Sequence, residues 1–458
     1  MDGIRARVEA DEWLSAEDGL RLYESPDIFT LGELADLVRE RLHGRNAYYN
    51  INRHINYTNY CVLRCKFCSF YRPYPTRAAG GMQSRRAGSP RGHAESDGDA
   101  QPPQAMPPPL QRGGSGGSVQ GEGLWIGEDA AESYAGGYEL SIDEIAARAN
   151  EAYRRGATEV HIVGGLHPKL PFKYYTDMCA AIRQSCPHMH IKAFTAIEII
   201  HFTRITKPRL TIAEVLTKLR EAGMGSMPGG GAEIFDDRVH DEAFKSKVGE
   251  AEWFDVHRTA HELGIFTNAT MLYGHVETPA ERIGHLIKLR EHQAQSLRSR
   301  AAQFNCVIPL SFIPDGSALS HLPGPGGLDD LRTLAISRLM CPNIPHIKAF
   351  WIMQTPKLAQ VSLNWGVDDF DGTVVYYDIT KREGGGTTHQ ELTADKLRRL
   401  IVEAGCKPVE RDTLYRRVIR DETTWRIEGE GFSVPFSSET GDAESKNGDA
   451  LVPLSISR

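Results

Sequence analysis

Apolar side chains recur along the chain with the spacing of helices in some segments and of strands in others. In residues 141–156 they recur on one helical face, with a capping box from Ser141 to Glu144 at the start and Gly156 at the end. Capping pairs of the same kind, in which a glutamate follows a threonine by three positions, predict helices after Thr30, Thr211 and Thr278.

Short apolar runs between the helices predict strands. They lie at 52–59, 159–163, 189–195, 227–234, 266–272, 304–310, 347–353 and 361–365. Alternation of strands and helices specifies a parallel sheet flanked by helices. About eight such units favour an α/β fold of the closed (β/α)8 type, and an open doubly wound sheet is the alternative. In a barrel the chemistry lies in the loops that follow the strands, so the residues after each strand are the candidates for function.

Residues 78–123 interrupt this alternation. Gly, Pro and Ser fill 22 of these 46 positions, and large apolar residues are almost absent. Such a segment buries too little apolar surface to offset the entropy of ordering it, so we predict a disordered surface insertion. The expected organisation has four parts: an N-terminal helical segment at 1–50, a barrel at 51–77 and 134–418, a low-complexity insertion at 78–133, and a polar C-terminal tail at 419–458.

Charge and composition narrow the class of protein. The 458 residues are 40% hydrophobic and 25% charged, which is typical of a globular protein with a sizeable core. A net charge of −7 argues against a general nucleic-acid binder. No apolar run approaches about 18 residues and the first residues lack the apolar stretch of a secretory signal, so we expect no membrane span. Of the eight cysteines, three lie within eight residues and five are scattered, which does not match a secreted disulfide framework and favours the cytoplasm.

Three of the cysteines, Cys61, Cys65 and Cys68, have the spacing C-x3-C-x2-C. Thiolates are soft ligands that suit iron–sulfur clusters, zinc or Cu(I). Three of them in one loop can hold three corners of a four-iron cluster and leave one iron open to another ligand. The alternative is a structural zinc site with His54 or Cys179 as a distant fourth ligand, although no second C-x2-C knuckle is present.

This spacing, directly after the first predicted barrel strand, resembles the radical S-adenosylmethionine (SAM) superfamily. The resemblance implies a [4Fe-4S] cluster whose open iron binds SAM, and a reducing electron donor such as flavodoxin or ferredoxin. One electron from the cluster then releases the 5′-deoxyadenosyl radical from SAM. Phe67, the aromatic residue before the third cysteine, also fits that pattern and is expected to pack against the cluster.

Further motifs narrow the resemblance to one family. They are His54–Asn59, Ser69–Arg72, Gly164–Pro171, His190–Ile199, Pro228–Phe235 and Asn268–His275. Together they resemble the aminofutalosine synthases of the futalosine route to menaquinone. The segment 192–198 resembles this family more than its sister family, the cyclase that acts on dehypoxanthine futalosine. The resemblance covers roughly 30–75 and 134–418, whereas the insertion and the tail beyond about 420 are additional.

The resemblance implies a reaction between SAM and a small-molecule substrate, 3-[(1-carboxyvinyl)oxy]benzoate. The adenosyl radical adds to the enolpyruvyl double bond, and the adduct rearranges and loses its carboxylate. The product is 6-amino-6-deoxyfutalosine, and SAM is consumed.

Residues near the strand ends are candidates for the two ligands. Gly164 and Gly165 would let the backbone approach SAM, and Glu198 would accept its ribose hydroxyls, although a tight turn and a helix-start carboxylate are the structural alternatives. Glu233 and Asn268 are expected to line the same cavity. The candidates for binding the substrate carboxylates or for acid–base chemistry are Arg72, His167, Lys192 and His275.

Overall fold

The computed structural model describes residues 1–75, 136–374, 379 and 391–437. The predicted insertion at 78–133 lies wholly outside this part of the chain. Residues 438–458 of the predicted tail also lie outside it. The described helices are α1 Asp2–Glu9, α2 Ala16–Glu24, α3 Ile28–His43, α4 Ile142–Arg154, α5 Phe172–Ser185, α6 Ala196–Ile205, α7 Ile212–Glu221, α8 Asp237–Ala243, α9 Glu250–Glu262, α10 Pro279–Ser299, α11 Gly327–Met340, α12 Trp351–Gln354, α13 Pro356–Ser362 and α14 Ala394–Glu403. The described strands are β1 Asn46–Asn50, β2 Asn52–Ile55, β3 Glu159–Ile162, β4 His190–Lys192, β5 Thr267–Tyr273, β6 Phe304–Ser311, β7 His346–Ile347, β8 Asp369–Gly372, β9 Lys407–Glu410, β10 Val418–Arg420, β11 Thr424–Ile427 and β12 Val434–Pro435.

Parallel pairing closes the strands into a barrel, as the alternation predicted. β2, β3 and β4 pair in that order, and so do β5, β6 and β7. Residues 226–227 bridge β4 to β5 and supply the fourth barrel position, and Lys348 bridges the end of β7 to β8. β8 pairs with β1, which runs directly into β2 and so completes the ring. The fold is therefore a (β/α)8-type barrel with helices between its strands.

The capping boxes that were predicted from the sequence are present in three helices. They precede α4, α7 and α10, where the threonine or serine accepts from the backbone of the glutamate and the glutamate bonds back. The predicted cap of α3 was wrong by three residues. Asp27 accepts a hydrogen bond from the backbone N–H of Thr30 at 3.0 Å, so the helix begins at Ile28 and Thr30 lies inside its first turn.

Three of the predicted strands differ from the structure. The fourth, at 227–234, is confined to a bridge at 226–227, because the chain then turns so close to β5 that a Cβ on Gly229 would lie 2.6 Å from the backbone of Ala269. The seventh ends at Ile347 and is followed by α12. The run 361–365 is the end of α13 and the turn after it, and the eighth strand is β8. The sequence of β8, Asp-Phe-Asp-Gly, has no apolar alternation because its buried aspartates are paired with cations.

The described part of the predicted polar tail is a small antiparallel sheet. β11 pairs with β10 on one side and with β12 on the other, and Trp425 is buried in a cluster with Val418, Ile427 and Val434. Arg420 bonds to the carboxylate of Glu410 and to the carbonyl of Gly156. The division of the chain into domains stays a prediction. No helix of the described residues has the length and hydropathy needed to cross a membrane.

Candidate active site

The barrel encloses a cavity of about 270 Å³, lined by the strands and by the loops that follow them. Ten of the thirteen residues predicted for the site line it: Cys61, Cys65, Phe67, Cys68, Gly164, Gly165, Lys192, Glu198, Glu233 and Asn268. The structure therefore brings the predicted metal ligands and the predicted cofactor-binding residues to one cavity. Of the predicted catalytic residues, Lys192 is the one that reaches it among the described residues.

The cysteine loop follows β2 and is tied to its neighbours through the backbone. Its hydrogen bonds run from Cys61 N to Arg72 O (3.1 Å), from Val62 N to Leu166 O (3.0 Å), from Lys66 N to Ala243 O (2.9 Å) and from Cys68 N to Cys65 O (3.1 Å). The three thiols are half-buried, free of disulfides and face the cavity. A loop fixed in this way presents three sulfur ligands from a preformed position.

The donor set fits a multi-iron group better than one ion. Three thiolates on a single zinc ion would lie within about 4.6 Å of one another, since Zn–S bonds are about 2.3 Å long. Among the described residues, the group whose ligand atoms all lie within 4.8 Å is His43, His346 and Asp368, and the cysteines do not meet that spacing. Burial raises the pKa of all three thiols, that of Cys65 to about 12, so a bound metal is needed to hold them as thiolates.

Glu198 lines the cavity from the first turn of α6. Its Oε2 accepts from the backbone N–H and the hydroxyl of Thr195, both at 2.7 Å, which completes a capping box. Its Oε1 accepts from the hydroxyl of Tyr57 at 2.7 Å and from the N–H of Gly164 at 3.2 Å. Burial raises the pKa of this carboxyl to about 7. The helix-start role considered for Glu198 is therefore present, and it ties the end of β3 to α6.

Gly164 and Gly165 line the cavity, but the chain itself fills the space that their missing side chains leave. A Cβ on Gly164 would lie 2.6 Å from the ring of Tyr57, and one on Gly165 would lie 2.3 Å from the carbonyl oxygen of Tyr60. These glycines let the end of β3 pack against the segment that leads into the cysteine loop. Their proposed contact with SAM stays a prediction.

Glu233 forms a buried ion pair with Lys247, which also lines the cavity. Burial lowers the pKa of Lys247, but the charge of Glu233, the hydrogen bond to it and the charges of Cys65 and Cys68 together outweigh burial and raise the pKa. The Lys247 ammonium lies 5.0 Å from the ring centre of Phe67. In the sequence, Phe67 lies between Cys65 and Cys68. A positive charge is thereby held beside the cysteine loop, where negative charge would gather on bound thiolates.

The structure does not bring His167, His275 and Arg72 to the cavity. The ring of His167 accepts from two backbone N–H groups of its own loop and lies 2.7 Å from the carboxylate of Glu139. The ring of His275 bonds to the carbonyl of Leu272 at 3.0 Å. The guanidinium of Arg72 donates to two carbonyls within the cysteine loop. Each of these side chains stabilises a loop, so the acid–base and carboxylate-binding roles have no support from position.

Two lysines of the cavity, Lys247 and Lys348, were missed from the sequence. Lys348 directly follows β7, so the rule that selected Lys192 at the end of a strand would have found it had β7 been bounded correctly. Lys247 lies in the loop between α8 and α9, and only the fold brings it beside the cysteines. No pattern in the sequence marks it.

Comparison with known proteins identifies the family to which this chain belongs. The family model described as the radical SAM superfamily matches residues 55–289, more than half of the chain. The chain belongs to the radical SAM superfamily. Membership implies a four-iron cluster and SAM. A second model, described as the CofH/MqnC C-terminal region, matches residues 301–423 of this radical SAM protein.

Relatives of known name cover most of this radical SAM chain. It is 42% identical to the aminodeoxyfutalosine synthase of Thermus thermophilus over 91% of the chain and 95% of that protein. It is 33% identical to the 5-amino-6-(D-ribitylamino)uracil–L-tyrosine 4-hydroxyphenyl transferase of Archaeoglobus fulgidus, over 83% of the chain and 92% of that protein. The crystal structure of methylornithine synthase, 15% identical, matches with a TM-score of 0.59 over 88% of this chain and 97% of that one. That likeness concerns the fold.

Proposed function

We propose that this protein joins the 5′-deoxyadenosyl group of SAM to 3-[(1-carboxyvinyl)oxy]benzoate and so makes 6-amino-6-deoxyfutalosine for menaquinone. The observation that carries the proposal is the 42% identity to a synthase of that name over 95% of its length. The cysteine loop that faces a cavity lined by apolar and polar side chains supports it. The protein is then an adenosyl transferase that consumes SAM and releases methionine.

Cys61, Cys65 and Cys68 would hold the cluster, and the electron that cleaves SAM comes from it when it is bound. The chain's own residues then have to bind and orient SAM beside the loop. Lys247 lines the cavity beside the loop, 5.0 Å from the ring centre of Phe67, and an ammonium there binds a carboxylate well. We assign the methionine carboxylate of SAM to Lys247, and an electron donor such as flavodoxin or ferredoxin to the reduction.

Apolar side chains around the cysteine loop exclude water from the place where the radical forms. A deoxyadenosyl radical takes hydrogen from almost any nearby group, so the reacting carbon has to be aligned in a closed, dry site. The cavity supplies such a lining from several loops, through Leu63, Leu166, Ile197, Phe312 and Phe350. This arrangement favours addition to the bound substrate over side reactions.

A product assay tests the proposed function. The reconstituted, reduced protein is incubated with SAM and, in separate reactions, with the enolpyruvyl benzoate, with dehypoxanthine futalosine, and with tyrosine plus 5-amino-6-(D-ribitylamino)uracil. We expect a covalent adenosyl adduct with the mass of 6-amino-6-deoxyfutalosine in the first reaction alone, and none when the reductant is left out.

The other two reactions make the assay decisive. Free 5′-deoxyadenosine with a cyclised futalosine product would identify the sister cyclase instead. A coupled tyrosine product would identify the activity that the Archaeoglobus relative is named for. Either result, without the adenosyl adduct, contradicts the proposal.

A further inference from the structure

The floor of the cavity is polar, although the inside of such a barrel is ordinarily filled by branched apolar side chains. Six polar residues line it from within the strands or directly after them: His54, His161, Lys192, Asn268, Lys348 and Asp371. Since parallel strands run toward the loops that follow them, these residues lie below the cysteine loop. Burying polar groups is costly unless they are hydrogen-bonded or paired with an opposite charge.

Two of the six are buried lysines, and each is paired with a carboxylate. The ammonium of Lys192 lies 2.8 Å from the carboxylate of Glu159, and that of Lys348 lies 2.6 Å from the carboxylate of Asp371. Both lysines are 3% exposed. An ammonium has three N–H donors, so each lysine retains donors beyond its ion pair. Burial lowers the pKa of Lys192, and the nearby charge of Lys348 adds to the lowering, so an anion that both contact would relieve their repulsion.

Two further groups of the floor have hydrogen-bonding capacity that the described residues do not use. The carboxamide of Asn268, 6% exposed, makes no hydrogen bond to another described residue. The imidazole of His161 contacts the ring of His54 and likewise makes no hydrogen bond in the described part of the chain. Both side chains line the cavity, where a polar ligand would supply the hydrogen bonds that the described residues do not.

We propose that Lys192 and Lys348 bind the ring carboxylate of the benzoate substrate, with Asn268 and His161 as additional hydrogen-bonding groups. This inference rests on the proposed function. The enolpyruvyl end of the substrate reacts beside SAM at the cysteine loop, so the ring carboxylate at its other end points to the floor. The lysine pair therefore sets the specificity for a substrate with two carboxylates.

Equilibrium binding tests this carboxylate-binding site, formed by Lys192 and Lys348, without turnover. The holoenzyme, without reductant, is titrated calorimetrically with 3-[(1-carboxyvinyl)oxy]benzoate and with 2-phenoxyacrylate, which lacks only the ring carboxylate. Loss of charge-assisted hydrogen bonds predicts that the wild type binds the benzoate about 10- to 100-fold more tightly. Lys348→Met is expected to remove most of that preference by weakening the benzoate and leaving 2-phenoxyacrylate unchanged.

Control variants distinguish a specific loss of carboxylate binding from a general loss of structure. Lys348→Met leaves the buried Asp371 without its cation, so the double variant Lys348→Met with Asp371→Asn removes both charges and has to show the same lost preference. Lys173→Met removes a lysine that is paired with Asp177 on the surface of α5, and it should keep the wild-type preference.

The outcomes distinguish this inference from the function beneath it. A wild type that binds both ligands equally, or a double variant that keeps the full preference for the benzoate, would overturn the proposed carboxylate-binding site. The proposed function would still stand if the adenosyl adduct forms. A wild type that neither binds nor converts the benzoate would overturn both.

Discussion

At the scale of single residues, short spacing was predictable and long-range pairing was not. Cys61, Cys65 and Cys68 lie within eight positions, so their shared face follows from the loop alone. The ion pair of Glu233 with Lys247 joins two loops that helix α8 separates. Such a pair depends on how α8 packs, which the local sequence does not encode.

Replacing one cysteine tests the ligand assignment. Cys65→Ala should cut the iron taken up in anaerobic reconstitution and abolish SAM cleavage, because two thiolates hold the cluster incompletely. Iron per chain and methionine release are the measurements. Cys179→Ala, in a buried cysteine of α5 that does not line the cavity, is the matched control and should keep both. Retained turnover in Cys65→Ala would contradict the assignment.

At the scale of elements, helices were bounded better than strands. Capping boxes fix the starts of α4, α7 and α10. Each box joins residues three positions apart, so it can be recognised from the local sequence. The fourth barrel strand was given wrong bounds and β8 was missed because tertiary contacts form them: glycines that approach β5 in one case, and buried aspartates paired with Lys348 and Arg411 in the other. The polar sequence of β8 prevented its prediction as a strand, although β8 helps to form the site.

The packing of β3 against the segment before the cysteine loop gives a second prediction. Gly165→Ala would push a Cβ against the Tyr60 carbonyl, so we expect it to lower the free energy of unfolding by about 1–3 kcal/mol and to reduce iron retention. Gly284→Ala is the control, since nothing lies within 4 Å of its Cβ position in α10. It should raise stability by about 0.5–1 kcal/mol. Urea unfolding and iron content measure both, and a Gly165→Ala protein that matches the wild type would refute the packing argument.

At the scale of the whole molecule, alternation predicted the closed barrel, and the position of the loops after the strands predicted one site. The structure adds what the alternation could not: a strand, β1, that pairs with β8 and continues into β2 to close the ring. It also adds a cavity with apolar walls at the cysteine loop and a charged floor beneath. That division suits a reaction in which a radical forms at one end of a substrate that is anchored by charge at the other.

The proposed function depends on three cysteines that hold a four-iron cluster with one iron open to SAM. The most direct measurement is metal analysis of the anaerobically reconstituted protein, followed by electron paramagnetic resonance of the reduced cluster with and without SAM. We expect about four irons per chain and a spectrum that changes when SAM is added. Zinc in place of iron, or a cluster spectrum that SAM leaves unaltered, would contradict it.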